Sequence, residues 1–175
     1  MNKYNLKEFL SKELEEHRTT LKAASYDDEN QQHLCNDSTT SNVYSFDEYV
    51  EKNFDPTQLP ASPDAIFIGD KKLYFVEFKN SLPKNIDSKN MKDKFEKGTE
   101  VLKKLLQAFI PRDIDYIFCV VHKKQTARYF NPAHIQSNTT RFGLAEKNAE
   151  LGGFYSNIIT EDIDFYKSVF KELKC

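Results

Sequence analysis

The stretch that decides the fold is Pro63-Asp64-Ala65-Ile66-Phe67-Ile68-Gly69-Asp70-Lys71-Lys72-Leu73-Tyr74-Phe75-Val76-Glu77-Phe78-Lys79. Two apolar runs flank a segment, Gly69 to Lys72, whose composition suits a turn, so the whole predicts a β-hairpin. With the turn at Gly69–Lys72, Ile68 pairs with Leu73 and Asp64 stands opposite Glu77; a two-residue turn at Asp70-Lys71 gives the same register. Directly opposed residues share a sheet face, with Cβ atoms roughly 4.5–5.5 Å apart. Because side chains alternate, Glu77 and Lys79 face one side and Phe78 the other. Two carboxylates so placed repel unless one is protonated or a cation lies between them. A divalent, oxygen-liganded ion answers that need, with the Phe78 backbone carbonyl as a third protein ligand. The competing interpretation is a solvated hairpin whose acids are neutralised by Lys79 alone. Strongly apolar flanks and the clustering of charge at one end argue for a central hairpin instead.

Upstream, Leu6, Phe9, Leu10, Leu14 and Leu21 form the stripe of a first helix running from near Asn5 past His17. At ~100° per residue, Glu13 falls inside that stripe and His17 near its centre. Residues 24–44 lose all period and predict a long, mobile polar loop. Ser45 with Glu48 makes a capping box for a short helix through about Lys52, and Pro56, Pro60 and Pro63 enforce an extended approach to the hairpin. Downstream, a charged amphipathic helix is expected from about Ser88 to Phe109, stopped by Pro111, with Met91, Phe95, Leu102, Leu105, Leu106 and Phe109 inward. Asp115 to His122 is apolar nearly throughout, as a strand buried on both faces should be. Lys123 to Gly153 shows no clear period. Phe154 to Ile159 suits a strand, and Thr160 or Asp162 caps a last helix with Phe165, Val169, Phe170 and Leu173 inward. The order α, α, β, β, α, β, β, α predicts one α/β domain over residues 1–175, with a mixed central sheet flanked by helices.

The 175 residues, 39 % hydrophobic with 14 Phe and 9 Tyr, are enough for one sizeable core. No apolar run approaches the ~20 residues of a bilayer span, and the charged N-terminus does not suit a signal peptide. Cys35, Cys119 and Cys175 are too scattered to suggest a disulfide framework or a zinc site. These features fit a reducing, cytoplasmic setting without a membrane. The net charge of −2 conceals an acidic stretch, residues 1–64 with 6 Lys/Arg against 13 Asp/Glu, and a basic one, residues 71–142 with 15 against 7. A basic middle leaves room for a phosphate-bearing partner. No glycine-rich phosphate loop and no Gly-x-Ser-x-Gly elbow is present.

Pro63-Asp64, thirteen positions before Glu77-Phe78-Lys79, with a hairpin between and a helix after, resembles the PD-(D/E)XK nuclease superfamily, the restriction-endonuclease-like proteins. The resemblance covers the first helix through the strand ending near His122, about two-thirds of the chain. It implies a core in the order α-β-β-β-α-β, so one strand more than the periodicity shows, either irregular within Asn80–Asp87 or upstream around Asn53–Leu59. It further implies that Asp64, Glu77 and the Phe78 carbonyl ligate Mg²⁺ or Mn²⁺. Lys79 would orient the attacking water, help deprotonate it and stabilise charge on the phosphate. Many members add an acid from the first helix, and Glu13 is the position that fits. His17 resembles, more loosely, the manganese-binding helix histidine of viral cap-snatching endonucleases. Lys94, on the rim of its helix, and Lys123, Lys124 and Arg128 beyond the buried strand would contact phosphates, which gives affinity without sequence choice. The implied activity is phosphodiester hydrolysis of nucleic acid, DNA ahead of RNA, by a chain that could act with a protein partner or as a homodimer. The alternative is a catalytically inactive fold of the same type, serving as an acidic protein-binding module of immunity or regulatory kind. The intact triad Asp64, Glu77 and Lys79 favours the enzyme.

Overall fold

The computed structural model describes residues 5–106, 113–124 and 140–175. In chain order its elements are α1 (Leu6–Glu13), β1 (Arg18–Thr19), α2 (Leu21–Ala24), β2 (Tyr26–Asp27), β3 (Gln32–His33), β4 (Val43–Ser45), α3 (Phe46–Asn53), β5 (Ala65–Ile68), β6 (Lys72–Lys79), α4 (Ser88–Leu105), β7 (Asp115–His122), α5 (Leu144–Glu150), β8 (Asn157–Asp162) and α6 (Ile163–Ser168). Tight 3-10 turns occupy Glu15–His17 and Pro83–Asn85.

The hairpin forms in the expected register, Ala65 opposite Val76 through Ile68 opposite Leu73. Its turn is closed by the Gly69 N–H donating to the Lys72 carbonyl (2.9 Å). Around it lies a six-stranded sheet in the order β1-β4-β5-β6-β7-β8. The neighbours from β1 to β6 run antiparallel, whereas β6, β7 and β8 are parallel, as the crossover through α4 requires. The result is a single α/β domain with a mixed central sheet and flanking helices. Beside it, β2 and β3 pair as a separate small hairpin.

Alternation along the central strands divides the core in two. Ile66, Ile68, Leu73, Phe75, Phe118 and Val120 face α1, α3 and α4, meeting Leu10, Phe46 and Phe95. Ala65, Tyr74, Val76, Cys119 and Val121 face the other way, toward Leu21, Tyr166 and Leu173. Each fully buried Phe or Leu contributes about 1.5–3 kcal/mol relative to exposure. By the same alternation, Asp64, Glu77 and Lys79 belong to the α4 face. Gly98 of α4 allows the helix to approach the hairpin closely: a Cβ there would stand 2.4 Å from Pro63 Cδ.

Several expectations are corrected. No strand lies at residues 53–59 or 80–87; upstream of the hairpin, β4 begins instead within the stretch expected as polar loop, and its three residues are too few to show a period. That stretch also holds β2, β3 and the buried Leu34 and Cys35. Helix α1 ends at Glu13 with Leu14 as its C-cap, short of His17. Helix α6 ends at Ser168, which leaves Val169 63 % exposed instead of inward. Helix α5, within the segment that showed no period, was not foreseen. Cys35 and Cys175, remote in sequence, come together on the face opposite α4, where the Asn36 N–H donates to the Cys175 carbonyl (3.4 Å). The neighbouring Cys175 thiol lowers the Cys35 pKa against the effect of burial. Phe109, Pro111 and Arg128 lie outside the described residues. Among the described residues, no helix is long and apolar enough to cross a membrane.

Candidate active site

Strand β6 delivers Glu77 into the space under α4, where its side chain is 0 % exposed. Asp64, one residue before β5, faces it across the hairpin, 19 % exposed. Two contacts fix Asp64. Its carbonyl accepts from the Phe46 N–H (3.0 Å), and its Oδ2 accepts from the Phe78 N–H (2.6 Å). The amide of Phe78 therefore locks the first acid onto the strand that carries the second.

The charges in this space are closely matched. Lys79 Nζ lies 2.7 Å from Glu77 Oε1. Lys94, reaching down from α4, donates to Glu77 Oε2 (3.0 Å) and lies 2.9 Å from Oε1 and 3.4 Å from Asp64 Oδ1. Both ammoniums are thus within ion-pair distance of Glu77 Oε1, yet that buried oxygen accepts no properly directed hydrogen bond. A third acid completes the group. Asp47, in the first turn of α3, accepts from the Ser62 hydroxyl and interacts with the Asp64 carboxyl.

Burial raises the pKa of all three acids. It lifts Asp64 to about 6, with the Asp47 charge adding to the effect and Lys94 opposing it. Glu77 rises by burial and by the charge of Asp64, against Lys94 and Lys79. Asp47 rises by burial, against Lys94 and the Ser62 hydrogen bond. For Lys94, burial alone would favour losing the proton, but Glu77, Asp64 and Asp47 outweigh it and hold the ammonium well above the ordinary lysine range. Perturbed groups converging from three elements are what functional sites display.

The structure brings Asp64, Glu77, Lys79 and Lys94 together and leaves the other expected residues apart. Glu13 is exposed at the end of α1, where its charge acts on the Tyr49 hydroxyl. Glu13 is the last residue of the helix, on the Leu6 side by rotation, but nothing among the described residues covers it there. His17 is buried, but its ring meets Tyr49 edge-on (5.7 Å) and Glu48 Oε2 (3.9 Å). Phe78 meets Asp64 through its N–H. Lys94 bridges the acids instead of standing free for a phosphate. Lys124 pairs with Asp164 (2.5 Å), while Lys123 is exposed just beyond β7.

Asp47 was not visible to sequence reasoning. Its place in the Ser45–Glu48 capping pattern already accounts for an acid there, and only the packing of α3 against β5 turns it toward Asp64. Among the described residues, no three His, Cys, Asp or Glu side chains form a ready metal-binding group. Compared with family models, with curated proteins and with solved structures, the chain matches none.

Proposed function

We propose that this chain is a metal-dependent nuclease of restriction-endonuclease-like fold, hydrolysing phosphodiester bonds at Asp64, Glu77 and Lys79. The observation that carries the proposal is the opposed pair at the end of a central hairpin, Glu77 fully buried and Asp64 19 % exposed, with Lys79 on the same face 2.7 Å from Glu77. The element order supports it in part: α1, β4, β5, β6, α4 and β7 occur in the implied α-β-β-β-α-β order, with β1, α2, β2 and β3 inserted before β4 and α3 between β4 and β5. The donor set suits Mg²⁺ or Mn²⁺. Such ions are commonly held by one or two carboxylates, with waters and substrate phosphate filling the remaining positions, so a three-residue cage is not required.

Asp64 and Glu77 would hold the ion, with Asp47 close enough to Asp64 to tune its charge. The ion supplies polarisation of the phosphoryl oxygen and a bound water of lowered pKa. Lys79, two residues from Glu77 on the same face, orients the attacking water and offsets negative charge gathering on the phosphate. The water oxygen forms the new bond to phosphorus, the ester P–O bond breaks, and the departing oxygen takes a proton. Lys123 extends the positive edge beyond β7. DNA is favoured over RNA as substrate.

The closed ion network also gives the inactive, protein-binding alternative specific support: Lys79 and Lys94 already neutralise the acids without a metal. One experiment separates the two. Wild type, Asp64→Asn and Glu77→Gln are incubated with plasmid, linear duplex, single-stranded DNA and RNA in Mg²⁺ and in Mn²⁺. The nuclease requires cleavage by wild type that falls about a thousandfold in each variant. No cleavage of any substrate in either ion leaves the binding module.

A further inference from the structure

Of the two ammoniums in the site, only Lys94 bridges both opposed carboxylates. Its Nζ lies 2.9–3.0 Å from the oxygens of Glu77 and 3.4 Å from Asp64 Oδ1, where an ion shared by the two acids would have to sit. We propose that Lys94 is a tethered counter-ion. It holds Asp64 and Glu77 together while no divalent ion is bound, and it must withdraw before one can enter. The inference rests on the nuclease proposal and adds a residue that sets how tightly the metal is taken.

Three features support displacement over a fixed structural ion pair. First, the anchoring and the charge are separable. The neighbouring Met91 and Phe95 are fully buried and fix the backbone of α4, while the Lys94 side chain keeps 17 % exposure and a flexible four-carbon stem. The ammonium can leave without moving the helix. Second, Glu77 Oε1 is held by charge and not by a directed hydrogen bond: Lys79 (2.7 Å) and Lys94 (2.9 Å) both lie beside it. Lys79 stays beside that oxygen when Lys94 withdraws, so Glu77 keeps one counter-charge while the ion enters. Third, the neighbourhood is acidic enough to bind either cation, since Asp47 adds a third carboxyl beside Asp64. A withdrawn Lys94 remains on the α4 rim, next to the place a phosphate would occupy, so entry of the ion frees a cation for the substrate.

The test is calorimetric titration of Mn²⁺ alone, and of Mg²⁺ alone, into wild type, Lys94→Met, Lys94→Gln and Lys94→Arg. Lys97→Met serves as control, because Lys97 pairs only with the exposed Glu100 (3.5 Å) among the described residues. Thermal unfolding is followed for each protein in chelator and in Mn²⁺. The expected result is Mn²⁺ affinity at least about tenfold higher in Lys94→Met and Lys94→Gln, unchanged in Lys97→Met and not raised in Lys94→Arg. Mn²⁺ should also raise the melting temperature of the two neutral variants more than that of wild type. Affinity equal to or below wild type in both neutral variants, with wild type itself binding, overturns the inference and leaves the nuclease standing. Absence of binding in every protein overturns both. If both neutral variants are unfolded and Mn²⁺ does not restore folding, Lys94 is a structural counter-ion only and the inference fails.

Discussion

On the α4 face of the sheet, Glu77 is fully buried among two ammoniums and two further carboxyls. On the opposite face, among the described residues, the buried polar side chains are hydroxyls and thiols. The Tyr166 hydroxyl donates to the carbonyls of Val120 (3.2 Å) and Ile159 (3.0 Å), and burial raises the Cys119 thiol to about 12. Both faces are equally central and pack on the same strands, so the fold has no general need for charge. Burying ions costs several kcal/mol each before their attraction offsets it, and hydrophobic replacements are often as stable or more so. A charged cluster confined to one end of one face is therefore more than packing alone calls for. The thiol face shows what the same sheet does when only packing is at stake.

The contrast can be broken by removing charge from the α4 face alone. Lys94→Met strands Glu77 and Asp64 with less compensation and should cost about 3–5 kcal/mol in chelator. Combining it with Glu77→Leu removes both sides of the pair and should recover most of that loss in urea unfolding. A double variant no more stable than the single would show that the cluster holds the fold together and would undo the comparison.

Acidity sharpens the same point. Burial raises Asp64 to about 6 from the ordinary 3.8, so the folded state holds its proton more tightly than the unfolded chain. Its contribution to stability is then full below about pH 4 and is lost as pH rises through about 6. Asp64→Asn removes that loss. The variant should match wild type near pH 4 and exceed it by up to about 3 kcal/mol at pH 8, measured by denaturant unfolding across the range. Gly98→Ala should have a smaller effect. Its Cβ meets the ring of Pro63, and overpacking of this kind costs about 1–3 kcal/mol. Because Pro63 precedes Asp64, the same variant should weaken cleavage as well as stability.

The pairing of the two acids was legible because it depends on local rules. A turn of Gly-Asp-Lys-Lys composition set the register, and the period of two carried Asp64, Glu77 and Lys79 to one face. What depended on packing between elements was not legible. Lys94 stood out on the rim of its helix as a phosphate contact, but its reach to both acids depends on how α4 is seated, with Gly98 against Pro63. Asp47 looked like an ordinary acid in the first turn of a helix. Glu13 falls on the Leu6–Leu10 side of α1 by rotation, but it is the last residue of the helix and its side chain is exposed; burial there depends on what packs over the helix end, which periodicity does not show. Strand β4 is three residues long and takes its identity from its neighbours β1 and β5, not from any pattern of its own.

The central claim is that Asp64 and Glu77 form a divalent-cation site. It is met most directly by electron paramagnetic resonance of Mn²⁺ titrated with wild type and with Glu77→Gln, without nucleic acid. The account expects wild type to remove the free-ion signal with saturation at a defined stoichiometry, and Glu77→Gln to leave the signal essentially unchanged at the same concentrations. Equal loss of signal in both proteins would place the metal elsewhere, and no loss in wild type would contradict the site altogether.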